Sequence, residues 1–374
     1  MAPRPADRSA AHTLAWLFIG LIVYASLHPF SGWRWQEPPS SQWFALPWPV
    51  YTDRFDIWSN FVGYLPLGLL WCIGSLRDGR AVARSAIETT LICAALSYAM
   101  EVTQHTLPTR VPSALDWVLN TAGGIAGSLL ALLAQSRGWV DALRARRDRW
   151  LAPHSGNGQA LLLLWPVGLL FPPAVPFGLG QVFNRVSEAL QEAAENTPFA
   201  AWTPVPVEWD EPLSAGTELL TLALGLLAPI LVAYVISSRP RTRLKLMLLC
   251  IALGAGATTL STTLNFGPAH ALTWLTPPVL PGFVLAAIMG VGLAWVPRRA
   301  IAGIGLLVLA SLCALINQAP TDPYFALSLS RWEQGRFIRF HGLAQWVGWL
   351  WPYIAILWLL VQIGAPVKES GSQT

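Results

Sequence analysis

Charge is what this sequence has least of. Its 374 residues include 24 Lys and Arg and 20 Asp and Glu, so 12% of the chain is charged, where a water-soluble domain carries about 25%. That shortage excludes a disordered chain and argues against a soluble α/β enzyme. Cysteine is scarce too. Cys72, Cys93, Cys250 and Cys313 all fall inside apolar runs, where they read as small packing residues and not as a disulfide framework. Of the six histidines, no two stand at the spacing of helical metal ligands. There is no glycine loop built to cradle phosphate, no spacing that supports a Ser-His-Asp triad, and no acidic run that would hold a diphosphate through Mg²⁺. Neither a metal nor a cofactor is expected, and no nucleic-acid motif is present.

What the chain has is apolar length. Hydrophobic residues make up 54% of it, with 20 Trp and 30 Pro, and the mean hydropathy is +0.47. A spanning helix needs about 20 mostly apolar residues to cross a hydrocarbon core of about 30 Å. Charge-poor stretches of that length predict ten spans, approximately 13–29, 57–76, 86–105, 115–135, 159–180, 214–236, 246–266, 278–296, 300–317 and 342–362. The fifth, with Pro166, Pro172, Pro173 and Pro176, should bend, and the eighth should be short. The fold class is therefore all-α: a polytopic membrane protein of about ten transmembrane helices.

Basic residues stay on the cytoplasmic side during insertion. With the N-terminus inside, most of the 24 Lys and Arg fall in cytoplasmic connections, in clusters such as Arg77-Arg84, Arg137-Arg149, Arg239-Lys245 and Arg298-Arg299. Both termini are then cytoplasmic. The residues after Ile22 form no small-x-small cleavage site, so the first span is expected to be retained. A polar, Arg-rich stretch from Gln135 to Gln159 divides a four-helix membrane domain, residues 1–150, from a six-helix one, residues 151–374.

In the first domain the polar residues collect at one depth on the outer side. Asp56 and Asn60 open the second span, Glu101 and Gln104 close the third, Arg110 lies in the next connection, and Asp116 and Asn120 open the fourth. On the fourth helix Asp116, Asn120, Gly123 and Gly127 follow an i, i+4, i+7, i+11 stripe, so the polar groups share a face with glycines that permit close helix contact. Ser97, Glu101 and Gln104 share a face of the third. Each such group would cost several kcal/mol in lipid, so these faces should turn inward and meet. The result would be an outer-leaflet vestibule. Among its crowded carboxylates one can hold a proton near neutrality and act as acid or base, which makes Glu101, Asp116 and Asp56 the catalytic candidates. Arg110, Asn60, Gln104 and Asn120 are the ligand-binding ones. The structural alternative is an arginine-carboxylate lock, with Asp56 and Asp116 capping their helices.

The pattern Asp56-x3-Asn60-Phe61, Pro66-x-Gly68, Glu101-x2-Gln104, Arg110, and Asp116-x3-Asn120-x2-Gly123-x3-Gly127 resembles the VanZ-like family of bacterial membrane proteins over about residues 14 to 135. The founder of that family is associated with low-level resistance to the glycopeptide teicoplanin. The resemblance therefore implies a cell-envelope role in the bacterial inner membrane and supplies no reaction. Six further spans exceed the minimal family domain.

Two segments of the second domain stand out. From Gln181 to Leu213 acidic residues dominate, and Val182, Val186 and Leu190 align at i, i+4, i+8, predicting an amphipathic helix on the outer surface. Glu208-Trp209-Asp210 has the acidic-x-acidic spacing of some metal-dependent sugar transferases. The segment Arg331 to His341 interleaves arginines with aromatics against the positive-inside trend, so Arg336 and Arg339 are candidate ligands for lipid phosphate or pyrophosphate; aromatic anchoring is the alternative.

Three functions compete. The first is recognition or processing of an anionic envelope lipid, such as a polyprenyl-phosphate-linked glycan, from the outer leaflet, with an effect on glycopeptide sensitivity. The second is proton-coupled transport or flipping of a lipid or small solute. The third is a non-catalytic scaffold of an envelope complex. Membrane lipids are the expected partners in each, and whether the protein is an enzyme is left open.

Overall fold

The structure is a computed structural model that describes residues 10–28, 30, 32–34, 44–52, 54–108, 110–152, 155–204, 209, 211–237, 239–320 and 338–364. Among these there are twelve α-helices and no strand. In chain order they are α1 Ala10–Leu27, α2 Arg54–Arg77, α3 Val82–Gln104, α4 Ala114–Ser136, α5 Trp139–Trp150, α6 Gly156–Gly168, α7 Phe183–Ala194, α8 Ala215–Val235, α9 Pro240–Phe266, α10 Val279–Leu293, α11 Arg298–Ile316 and α12 Ile338–Gly364. Six of the described helices, α2, α4, α8, α9, α11 and α12, are long and apolar enough to cross a membrane, and α1 and α10 are shorter apolar helices. The protein is thus all-α with the make-up of a multi-pass membrane protein.

The chain divides into two compact units, residues 1–149 with 153–160, and residues 150–152 with 161–374. In the first unit the helices are inside-out relative to a soluble bundle. The buried residues of α3 are Ser85, Thr89, Cys93, Ser97 and Glu101, an unbroken i, i+4 stripe of small or polar side chains, while Ile87 and Leu91 are exposed. In α4 the buried set is Asn120, Gly123, Gly124, Gly127, Ser128 and Ala131, while Ile125, Leu129, Leu130 and Leu133 face outward. Lipid tails are as apolar as leucine, so helices in a bilayer associate through small residues and polar groups and leave leucine to the lipid. Close approach is literal here. A Cβ on Gly123 would stand 2.0 Å from the Phe61 carbonyl oxygen, and one on Gly127 would stand 2.1 Å from that of Leu65, so the α2 and α4 backbones touch.

The second unit is built around α8, whose residues from Thr221 to Val235 are all buried. It packs against α9, α10 and α11. Arg243, in the first turns of α9, is buried and ties the α8–α9 and α10–α11 connections together. Its Nε donates to the Ser237 carbonyl at 3.1 Å, and its Nη1 donates to those of Ala294 and Val296 at 2.9 and 2.7 Å.

One predicted span is corrected. Residues 159–180 do not form a single bent helix, because α6 stops at Gly168 and the chain runs without regular structure to α7. Pro172, Pro173 and Pro176 supply no N–H to continue the ladder. Irregular backbone at membrane depth persists only where protein satisfies it, and the neighbouring helices do so. Ser261 Oγ donates to the Leu170 carbonyl at 2.8 Å. Asn317 Nδ2 and the Tyr353 hydroxyl donate to the Gly180 carbonyl at 3.1 and 3.0 Å. Gly180 N–H donates to the Gly348 carbonyl at 3.0 Å. Within the segment Phe177 takes φ +66°, a left-handed conformation costly for an aromatic residue. It is held by its fully buried ring, packed on Trp165, Trp274 and Phe283 at centroid distances of 6.4, 5.8 and 5.4 Å.

Candidate functional site

One end of the first unit gathers the C-terminus of α3 and the N-termini of α2 and α4. The basic residues Arg77, Arg80, Arg84 and Arg137 stand at the other end of the same helices. There Arg80 is paired with Glu88, a hydrogen bond that raises the arginine's pKa further.

The start of α4 organises the polar end. Ser113 is its N-cap, and the side-chain oxygen accepts the N–H of Asp116 at 3.2 Å. Asp116 therefore sits in the first turn, where the helix dipole favours its charge, and is not itself the cap. Asp56 has the same position in the first turn of α2. The backbone N–H of Ser113 donates to Glu101 Oε2 at 2.9 Å, which ties the end of α3 to the start of α4. Glu101 is only 4% exposed. Deeper along the same faces, Asn120 Nδ2 donates to Ser97 Oγ at 3.0 Å, and the buried Tyr64 hydroxyl of α2 also reaches Ser97.

Of the candidate residues, five converge. The Asp116 carboxylate is within hydrogen-bonding reach of Asn60 and within electrostatic reach of Glu101 and Asp56. Asn60 and Asp116 are half-buried, Asn120 is buried, and Asp56 is exposed at the outer edge. Among the described residues neither Glu101 nor Asp116 has a cationic partner. The Oδ1 of Asn120 is buried without a hydrogen-bond partner.

The other two first-unit candidates turn toward α1. Arg110 Nη2 donates to the carbonyls of His28 and Ala25 at 2.8 and 3.3 Å, and Gln104 Nε2 donates to that of Ser26 at 3.1 Å. The last carbonyls of α1 have no partner within their own helix, and a cation there answers the negative end of the dipole. The Nε of Arg110 is buried with no partner. The expected vestibule thus divides into a carboxylate-amide cluster between α2, α3 and α4 and a cationic bracket on α1. The arginine-carboxylate lock is not formed.

Ser113 and Tyr64 belong to the cluster although the sequence reading did not single them out. Ser113 was detectable as the serine of a Ser-x-x-Asp start, a capping pattern. Tyr64 lies one turn beyond Asn60 and carries no separate signal. Arg336 and the side chain of Arg339 lie outside the described residues, as do Glu208 and Asp210. No group of three or more His, Cys, Asp or Glu able to hold a metal occurs among the described residues.

Residues 3–135, the N-terminal third of the chain, match the family model described as VanZ/LLP1. That span covers α1 to α4 and every first-unit residue of the candidate site. No curated protein matches the chain, and no solved structure does.

Proposed function

We propose that the VanZ-like unit receives the polar head group of an anionic envelope lipid from the extracytoplasmic leaflet, a polyprenyl-phosphate-linked glycan being the substrate class its chemistry suits. One observation carries this reading. Glu101 is buried and bonded to the Ser113 N–H, it lies within electrostatic reach of Asp116, whose carboxylate bonds Asn60, and among the described residues it has no cationic partner. A purely structural carboxylate buried this deeply would be expected to pair with a cation, because an unpaired buried charge costs several kcal/mol. Left with free acceptor capacity, Glu101 and Asp116 suit hydroxyl groups, and Asn60 and Asn120 add amides that both give and accept hydrogen bonds.

Arg110 supplies the complementary half. Its guanidinium is fixed by the α1 carbonyls in a part-buried position, suited to a phosphate while the carboxylates orient hydroxyls on the same ligand. If a reaction follows binding, Glu101 or Asp116 is the base and Asp56 the outer member of the acidic set. In the second unit Arg336 and Arg339 contact lipid phosphate in this reading. The extracytoplasmic placement rests on the basic residues at the opposite end of the same helices, and in this reading the membrane is the bacterial inner one, as the resemblance to VanZ-like proteins suggests.

Proton-coupled transport is the weaker reading. Beyond Glu101 the buried stripe of α3 continues only through Ser97, Cys93, Thr89 and Ser85, and a proton path needs ionisable groups along its length.

The test is lipid binding by the purified full-length chain, measured by native mass spectrometry with undecaprenyl phosphate, undecaprenyl-pyrophosphate-linked disaccharide and phosphatidylglycerol. Arg110→Ala should weaken all three. Glu101→Gln should weaken the sugar-bearing lipid selectively. Equal binding of all three lipids to wild type and both variants would overturn the proposal.

A further inference from the structure

The helix α7 packs with the wrong face for a water-surrounded element. Its neutral polar side is turned to the protein: Ser187 is 0% exposed, and Asn184 and Gln191 are partly buried. Its apolar side is bare. Phe183, Val186 and Leu190 follow an i, i+3, i+7 stripe, all exposed, with Leu190 at 46%. The same chain continues into exposed Phe199 and Trp202, the latter at 84%. Glu188, Glu192 and Arg185 lie roughly opposite the apolar stripe, about a quarter of a turn beyond the packed face at about 100° per residue.

The position of this helix in the second unit is fixed at its first residue. Asn317 Oδ1 accepts the N–H groups of both Val182 and Phe183, at 3.1 and 2.9 Å. Gln181 Nε2 donates to the Ala319 carbonyl at 2.8 Å. Asn317 is the C-cap of α11, and α11 is one of the helices long and apolar enough to span. The start of α7 is therefore pinned where a span ends, at the depth of the bilayer interface. The basic pair Arg298 and Arg299 opens α11 at the opposite end, which puts α7 on the extracytoplasmic side by the same charge rule.

We propose that α7, continued by Phe199 and Trp202, lies in the extracytoplasmic lipid interface, with Phe183, Val186 and Leu190 inserted among the acyl chains and Glu188 and Glu192 facing water. A helix with separated apolar and charged faces at that depth buries its apolar side in the boundary between head groups and chains. Tryptophan also partitions there. Glu188 is paired with Arg185 at 3.6 Å, and Glu192 leaves the water-facing side net negative, so the partner is a zwitterionic surface such as phosphatidylethanolamine or phosphatidylcholine in preference to phosphatidylglycerol.

The experiment uses the full-length chain reconstituted in phosphatidylcholine vesicles. Single cysteines at 183, 186, 188, 190 and 192 carry a nitroxide, and the parent chain treated identically serves as the blank for its own four cysteines. Collision with oxygen, which concentrates in lipid, is compared with collision with a water-soluble nickel chelate. Labels at 183, 186 and 190 should favour oxygen, and labels at 188 and 192 should favour nickel. Adding phosphatidylglycerol should reduce the oxygen preference at 186 and 190. Nickel-favoured labels at 186 and 190, or labels immobilised there by protein contact, would overturn the proposal. Loss of lipid binding on Arg110→Ala does not bear on it.

Discussion

Glu101 and Ser113 are joined across two helices: the carboxylate that ends α3 accepts the backbone N–H of the residue that caps α4, at 2.9 Å. One oxygen of Glu101 is thereby assigned to the fold, and Asp116, itself bonded to Asn60, lies within electrostatic reach of the carboxylate. Structure and binding are combined in a single side chain, so they can be separated by substitution. Glu101→Ala leaves the Ser113 N–H without a partner and should destabilise the protein by about 1–3 kcal/mol, read as a lower melting temperature in detergent. Glu101→Gln keeps an acceptor and should melt near wild type while still losing selectivity for the sugar-bearing lipid.

The glycines of the first unit give a graded series. Gly123→Ala and Gly127→Ala place a methyl group against the backbone of α2 and should each cost about 1–3 kcal/mol by overpacking. Gly63→Ala meets nothing within 4 Å and should be neutral or stabilising, since alanine is the better helix former by about 1 kcal/mol. Melting temperatures of the three variants check the order.

Arg110 holds the last turn of α1. Arg110→Ala removes two hydrogen bonds from a charged donor, worth about 1.5–3 kcal/mol each, and should raise hydrogen exchange at the residues around Tyr24–Leu27 more than elsewhere in the unit. Arg110→Lys keeps the charge and loses the fork, so its exchange should fall between wild type and Arg110→Ala.

In the second unit Asn317 joins the end of α11, the irregular segment after α6 and the start of α7 through Val182, Phe183, Gly180 and Cys313. Asn317→Leu removes the acceptor of the Val182 and Phe183 N–H groups and one donor to the Gly180 carbonyl, and at about 1–3 kcal/mol for a part-buried group left unpaired it should lower the yield of folded protein. Asn317→Asp keeps the acceptor for Val182 and Phe183 and should give a folded, less stable protein. Size-exclusion profiles of the two in the same detergent provide the comparison.

The helical, membrane-type character was legible because it depends on period and composition alone. The stripe Asn120-Gly123-Gly127 could be read as a contact face because three positions on one helix fix a direction, and α4 buries all three. What failed to show were partnerships between distant parts of the chain. Pro172, Pro173 and Pro176 announced a disturbance after Gly168, but that the helix stops there depends on Ser261, Asn317 and Tyr353, more than 80 residues away, to satisfy the freed backbone. Arg110 is near the carboxylates in sequence, which suggested a shared vestibule. The carbonyls that hold it, of Ala25 in α1 and of His28 just past its end, lie 85 and 82 residues earlier, and nothing local marks them.

The central claim is that Glu101, Asp116 and Asn60 receive hydroxyl groups of a lipid head group whose phosphate lies on Arg110. Competition in native mass spectrometry between undecaprenyl phosphate and its disaccharide-bearing pyrophosphate tests it most directly. Wild type should prefer the sugar-bearing lipid, Glu101→Gln should lose that preference while keeping the phosphate affinity, and Arg110→Ala should lose affinity for both. An unchanged preference in stably folded Glu101→Gln would contradict the account.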